Sequence, residues 1–102
     1  MTRCRLTNEH VIEAVIAVAD DSFMKLVCDR SRSLICVDAR SALWATMAHL
    51  GASSRSIARR FGYDHKAVCY AITRLQTNDR VCKKARRLYT AFIKAEQETR
   101  RH

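Results

Sequence analysis

No proline occurs anywhere in this chain, and its only glycines are Gly51 and Gly62. Proline and glycine punctuate secondary structure, and tight β-hairpin turns depend on glycine for their positive φ angles. A chain of 102 residues with so few breakers has little means of forming hairpins. It reads as all-α, with five to six helices in a single domain spanning residues 1–102. Hydrophobic residues make up 48%, enough to fill one small core. There is no internal repeat, no low-complexity tract and no apolar run of bilayer-spanning length. The first seven residues read as loose. The N-terminal segment carries basic side chains but no apolar stretch before Asn8, so it does not read as a signal peptide.

The two glycines punctuate the most informative stretch, residues 51–75. Gly51 stops one helix. Ser53 or Ser54 can cap the next, because a serine hydroxyl accepts from N–H groups left free in the first turn. Ile57, Ala58 and Phe61 give that helix a buried edge. Gly62 then falls where a helix commonly ends in a left-handed residue. Asp64 can cap a following helix, with Ala67, Val68, Ala71, Ile72 and Leu75 as its apolar face and His65 and Lys66 in its first turn. This is the outline of a helix-turn-helix, whose second helix enters the DNA major groove N-terminus first. Ordinary helical pairs in all-α domains share the outline, so charge has to be weighed beside it.

The net charge is +9, and it is unevenly placed. Residues 1–50 hold six Lys and Arg against six acids, whereas residues 51–102 hold thirteen against four. The half that contains the helical pair therefore carries the whole excess and attracts a polyanion. An anionic membrane surface is the weaker match, because insertion needs bulky apolar residues that the core also needs.

The rest of the chain reads as supporting helices. Thr7 or Asn8 caps a first helix whose stripe is Val11, Ile12, Val15, Ile16 and Ala19. Asp20, Asp21 and Ser22 lead into a short second helix with Phe23, Leu26 and Val27 inward. Residues 28–37 read as a loop in which Arg30 and Arg32 alternate with Ser31 and Ser33. Such a run is either a solvated loop or a phosphate or minor-groove clamp. A longer helix is expected from about Asp38 to Leu50, with Trp44 at the centre of the core and Arg40 extending the basic loop. After a break at 76–79, Thr77 or Asn78 caps a last helix over 79–99. Its stripe of Val81, Ala85, Leu88, Phe92 and Ala95 repeats at four, three, four and three. That stripe either folds back on the core or meets a second chain as a coiled-coil seam, making a homodimer through 79–99 possible.

Five scattered cysteines without a CxxC read as free thiols in a reducing cytosol, and four scattered histidines give no case for a metal site or a cofactor. Acidic residues are few and dispersed, with no paired carboxylates and no Ser/His/Asp arrangement, so the chain does not read as an enzyme. RNA binding would call for exposed aromatics, and most of these fall on expected buried faces.

The run SSRSIARRFGYDHKAV adds a resemblance. It is similar to S-x-x-x-I-G-x-x-F-G-G-R-D-H-T-T-V of the C-terminal DNA-binding domain of the bacterial replication initiator DnaA, with Ser53, Ile57, Phe61, Gly62, Asp64, His65 and Val68 agreeing. The RSRS loop and the following Ala39-Arg40 resemble that family's arginine-rich loop and third helix. The likeness covers about residues 8–75 and leaves 79–99 as an additional helix. One residue of the turn before Asp64 is missing, Lys66 and Ala67 replace two threonines, and no GxxxxGK[ST] phosphate loop is present. The resemblance implies a Trp-repressor-like helical fold and double-stranded DNA as partner, without the initiator's ATPase module and with a different target site.

On this reading His65, Lys66, Ala67, Tyr70 and Arg74 face bases. Arg30, Arg32, Ser33, Arg40, Arg55, Arg59 and Arg60 face phosphates or the minor groove. The expected role is regulation of transcription or replication initiation in the cytoplasm, on the nucleoid. The rival expectation is a protein-interaction module that binds an acidic partner through the basic face and the last helix.

Overall fold

The computed structural model describes residues 8–100 and contains six α-helices: α1 (Asn8–Val18), α2 (Asp21–Cys28), α3 (Leu34–His49), α4 (Ser54–Phe61), α5 (His65–Thr73) and α6 (Asp79–Arg100). A single 3-10 turn, Arg74–Gln76, follows α5. There is no strand among the described residues, and none of their helices is long and apolar enough to cross a membrane. The reading of residues 1–7 as loose and of Thr7 as a cap lies outside the described residues.

Helix α3 is the axis of the domain. Eleven of its residues are buried, from Cys36 to Met47 with Val37 the exception, and α2, α5 and α6 all pack on it. An apolar stripe cannot account for so much burial. It arises because α3 is covered on nearly every side, and Ser41 and Thr46 are buried along with Leu43, Trp44 and Met47. Thr46 Oγ1 satisfies itself by donating to the Ala42 carbonyl at 2.8 Å. Trp44 occupies the core centre with its ring centroid 5.8 Å from that of Phe61 and 5.0 Å from that of Tyr63, the latter edge-to-face.

Two boundaries differ from the sequence expectation. Helix α3 begins at Leu34, four residues before Asp38, so the connecting loop shrinks to residues 29–33. Ser33 holds the N-cap position in extended conformation, and the apolar pair Leu34-Ile35 opens the helix and not the end of a loop. Helix α5 ends at Thr73 and tightens into the 3-10 turn before Leu75.

Caps set the other ends. Asp20 accepts from Phe23 N–H at 2.7 Å and Asn78 from Val81 N–H at 3.2 Å. Asn8 lies inside α1, where its Oδ1 accepts from the Ser53 N–H at 3.0 Å and ties the start of α1 to the start of α4. The α6 stripe turns inward: Val81, Ala85, Leu88 and Phe92 are buried, and α6 packs on α3 and α1.

Candidate nucleic-acid interface

The loop 29–33 is held in shape by polar side chains. Asp29 Oδ1 accepts from the Ser31 N–H at 2.9 Å, and Ser31 Oγ accepts from the Ser33 N–H at 3.0 Å. Each is a short side chain closing a turn on the backbone two residues ahead. From α3, the Arg40 guanidinium donates to the carbonyls of Asp29 and Ser31. A guanidinium holds several donors in a fixed planar fork, which suits it to two such acceptors at once. Arg40 was expected as a phosphate contact in the first turn of its helix. Here it is a buried residue in the second turn, and its donors organise the loop from below.

Arg30 ties the same loop to the α4–α5 connection. Its Nη2 donates to the carbonyls of Phe61 at 3.2 Å and Gly62 at 3.3 Å, and its guanidinium carbon lies 4.5 Å from the centre of the Tyr63 ring. Carbonyls at the C-terminal end of a helix lack intrahelical partners and carry negative partial charge, so a guanidinium fits there. Gly62 has φ +73°, and a Cβ at this position would come within 3.1 Å of Arg30 Nη2. Both the backbone conformation and the approach of Arg30 therefore favour glycine. Arg32 is exposed and has no hydrogen bond or ion pair with any described residue.

Helix α4 starts with Ser53 Oγ accepting from the Ser56 N–H at 3.1 Å. Three residues, 62–64, then connect it to α5. Asp64 occupies the α5 N-cap position with extended φ and ψ, but its carboxylate makes no capping hydrogen bond, contrary to expectation. The expected base contact His65 is turned back: Nε2 lies 2.8 Å from Ser54 Oγ and 3.5 Å from Cys69 Sγ. His65 thus links the starts of α4 and α5.

Lys66, Ala67 and Tyr70 remain exposed on one side of α5, Tyr70 at 75%. Ala67 and Tyr70 border a cleft of about 170 Å³ whose opposite wall includes Val37, Arg40 and Ser41 of α3. Arg74 lines the cleft too, but its charge is engaged. Its Nη2 is 2.9 Å from Asp38 Oδ1, an ion-pair contact without hydrogen-bond alignment, and its Nη1 donates to Ser41 Oγ at 3.3 Å. Arg80 of α6 donates to the other Asp38 oxygen at 2.9 Å. Asp38 is 2% exposed, and a carboxylate so buried needs such cations. Sequence reading assigned no role to Asp38 or Arg80. Neither carries a local motif, because their partners are dozens of residues away.

On α4, Arg55 and Arg59 are exposed and unpaired among the described residues, whereas Arg60 bonds Glu13 of α1 at 2.6 Å. That hydrogen bond raises the Arg60 pKa further above any working pH. The structure thus leaves Arg32, Arg55, Arg59, Lys66, Ala67 and Tyr70 open to a ligand. It engages Arg30, Arg40, His65, Arg74 and Arg60 within the chain. The four described cysteines are free thiols, and the described residues contain no cluster of three or more His, Cys, Asp or Glu able to hold a metal ion. Comparison with protein-family models, curated proteins and solved structures finds no match for this chain.

Proposed function

We propose that this protein binds double-stranded DNA with sequence preference, as a regulator of transcription or of replication initiation acting on the nucleoid in the cytoplasm. One observation carries the reading. The side chains of Lys66, Ala67 and Tyr70 on the outer side of α5 have no hydrogen-bond or ion-pair partner among the described residues, and a basic loop rigidified by Arg30 and Arg40 is docked against the turn that leads into α5. A surface ordered before binding loses less conformational entropy on association. The stretches similar to the initiator's DNA-binding domain fall on α4, α5 and this loop.

In the proposed complex α5 lies in the major groove. Lys66 donates to guanine O6 or N7, Ala67 contacts a thymine methyl, and Tyr70 reaches a base edge or phosphate. Arg32, Arg55 and Arg59 neutralise phosphates and release counterions, which makes affinity fall with salt. Because the α6 stripe is buried in its own core, one chain reads one asymmetric site. No catalytic residue or cofactor is required.

Selection of bound duplexes from a random pool, followed by footprinting, tests this. Enrichment of one short asymmetric site with salt-dependent affinity is expected. No enrichment, together with binding to an acidic polypeptide that duplex DNA does not displace, would replace it with the protein-interaction reading.

A further inference from the structure

At the corner where the loop meets α3, two large aliphatic side chains stand in solvent. Leu34 and Ile35 are each 55% exposed, although adjacent Cys36 is buried. Isolated exposed apolar residues are ordinary, but two in succession where an ordered basic loop enters α3 are a small apolar projection. Arg32 and Ser33 precede them directly. Leu34 shares one side of α3 with Val37 and Ser41, the residues that form the wall of the cleft opposite Ala67 and Tyr70. By helical spacing Leu34 lies one turn before Val37, on the line of the wall that faces Ala67 and Tyr70 of α5.

Resting on the DNA-binding reading above, we propose that Leu34 and Ile35 form an apolar wedge that inserts at a base step of the minor groove flanking the α5 site, partly unstacking it and kinking the duplex. The geometry points there by width. A helix with its side chains is about 10–12 Å across and fills a major groove about 12 Å wide. A feature at the side of α5 must then cross the sugar-phosphate backbone and meet the adjacent minor groove. Arg32 supplies the charge that holds a projection against phosphates. Of the nearby carboxylates, Asp38 is paired with Arg74 and Arg80, and the single charge of Asp29 is outnumbered by the loop's Arg30 and Arg32. Leucine and isoleucine are suited to wedging, because they replace lost base stacking with apolar contact at little desolvation cost. Flexible pyrimidine–purine steps unstack most easily, so the wedge adds a preference at positions that no polar side chain reads.

The test places 2-aminopurine at successive positions flanking the selected site and measures its fluorescence, with bending read from end-labelled duplexes. Wild-type protein should raise fluorescence at one step and shorten the end-to-end distance. Leu34→Ser with Ile35→Ser should abolish both signals and weaken binding to the intact duplex by about tenfold. The same variant should bind a duplex nicked at that step within about twofold of wild type, because the nick removes the cost of unstacking. Leu34→Met with Ile35→Met, still apolar, should retain both signals. Circular dichroism and sedimentation of each variant establish that the fold is intact. Tight binding by wild type without any fluorescence or distance change would overturn the wedge and leave the DNA-binding reading standing. So would a Ser variant that alters only self-association. Absence of binding to any duplex would overturn both.

Discussion

Arg30, Arg32 and Arg40 look alike in sequence and do different things. Arg30 completes the C-terminal end of α4, Arg40 organises the loop from within, and Arg32 is the free cation. Their single variants should separate accordingly. Arg32→Ala should leave thermal stability unchanged and lower the salt dependence of DNA affinity by about one phosphate contact. Arg30→Ala should instead lower stability by about 1–2 kcal/mol, since it removes bonds from a charged donor to two carbonyls, and affinity should fall as a consequence. Thermal melts beside salt titrations check the split, and equal behaviour of the two variants would contradict it. Repeated RSRS spacing identifies a basic loop but cannot say which arginine turns inward, because the choice depends on carbonyls 31 and 32 residues away. The same limit explains His65. Its position in the first turn of α5 was legible, while its partner Ser54 belongs to another helix.

Among the elements, α4 and α5 were the most readable, since Gly62, Ser53 and the apolar spacing are local signals that agree with one another. The start of α3 was the least readable. Ser33 followed by two aliphatics resembles a helix start, but the charged residues before it and Asp38-Ala39-Arg40 after it favoured a later one. The α4–α5 connection rests on Gly62, and Gly62→Ala should cost about 1–2 kcal/mol through the left-handed backbone alone. It should also displace the Arg30 guanidinium, so affinity for all duplexes should drop while selectivity is kept. Asp38 joins three elements, α3, the turn after α5 and α6, through Arg74 and Arg80. Removing one partner of a buried ion pair costs about 3–5 kcal/mol. The Arg80 side chain is 59% exposed and Arg74 19%, so both cations can regain water, and Asp38→Ala should fall at or below the lower end. Urea denaturation measures it, and a neutral result would show that the carboxylate contributes nothing net.

For the whole molecule, the lack of proline and the scarcity of glycine made the all-α architecture legible, and apolar spacing located the helices apart from the start of α3 and the end of α5. Whether the α6 stripe served its own core or a second chain was not legible, because both uses want the same spacing. The structure places Leu88 and Phe92 inside the domain. Leu88→Asp should therefore unfold the protein, since burying a carboxylate there adds to the about 2–5 kcal/mol of a core truncation. A folded variant whose only change is in sedimentation would contradict that placement. The central claim is a division of labour between the outer side of α5, which selects sequence, and the loop, which holds the backbone. The most direct measurement is the ratio of affinities for the selected duplex and for random duplex in two variants. Lys66→Ala with Tyr70→Ala should cut that ratio by about ten- to a hundredfold, through losses of about 1–3 kcal/mol on the selected site alone, whereas Arg32→Ala should weaken both duplexes and leave the ratio unchanged. Equal losses on both duplexes for the α5 variant would show that α5 only contacts phosphates, and would contradict the account.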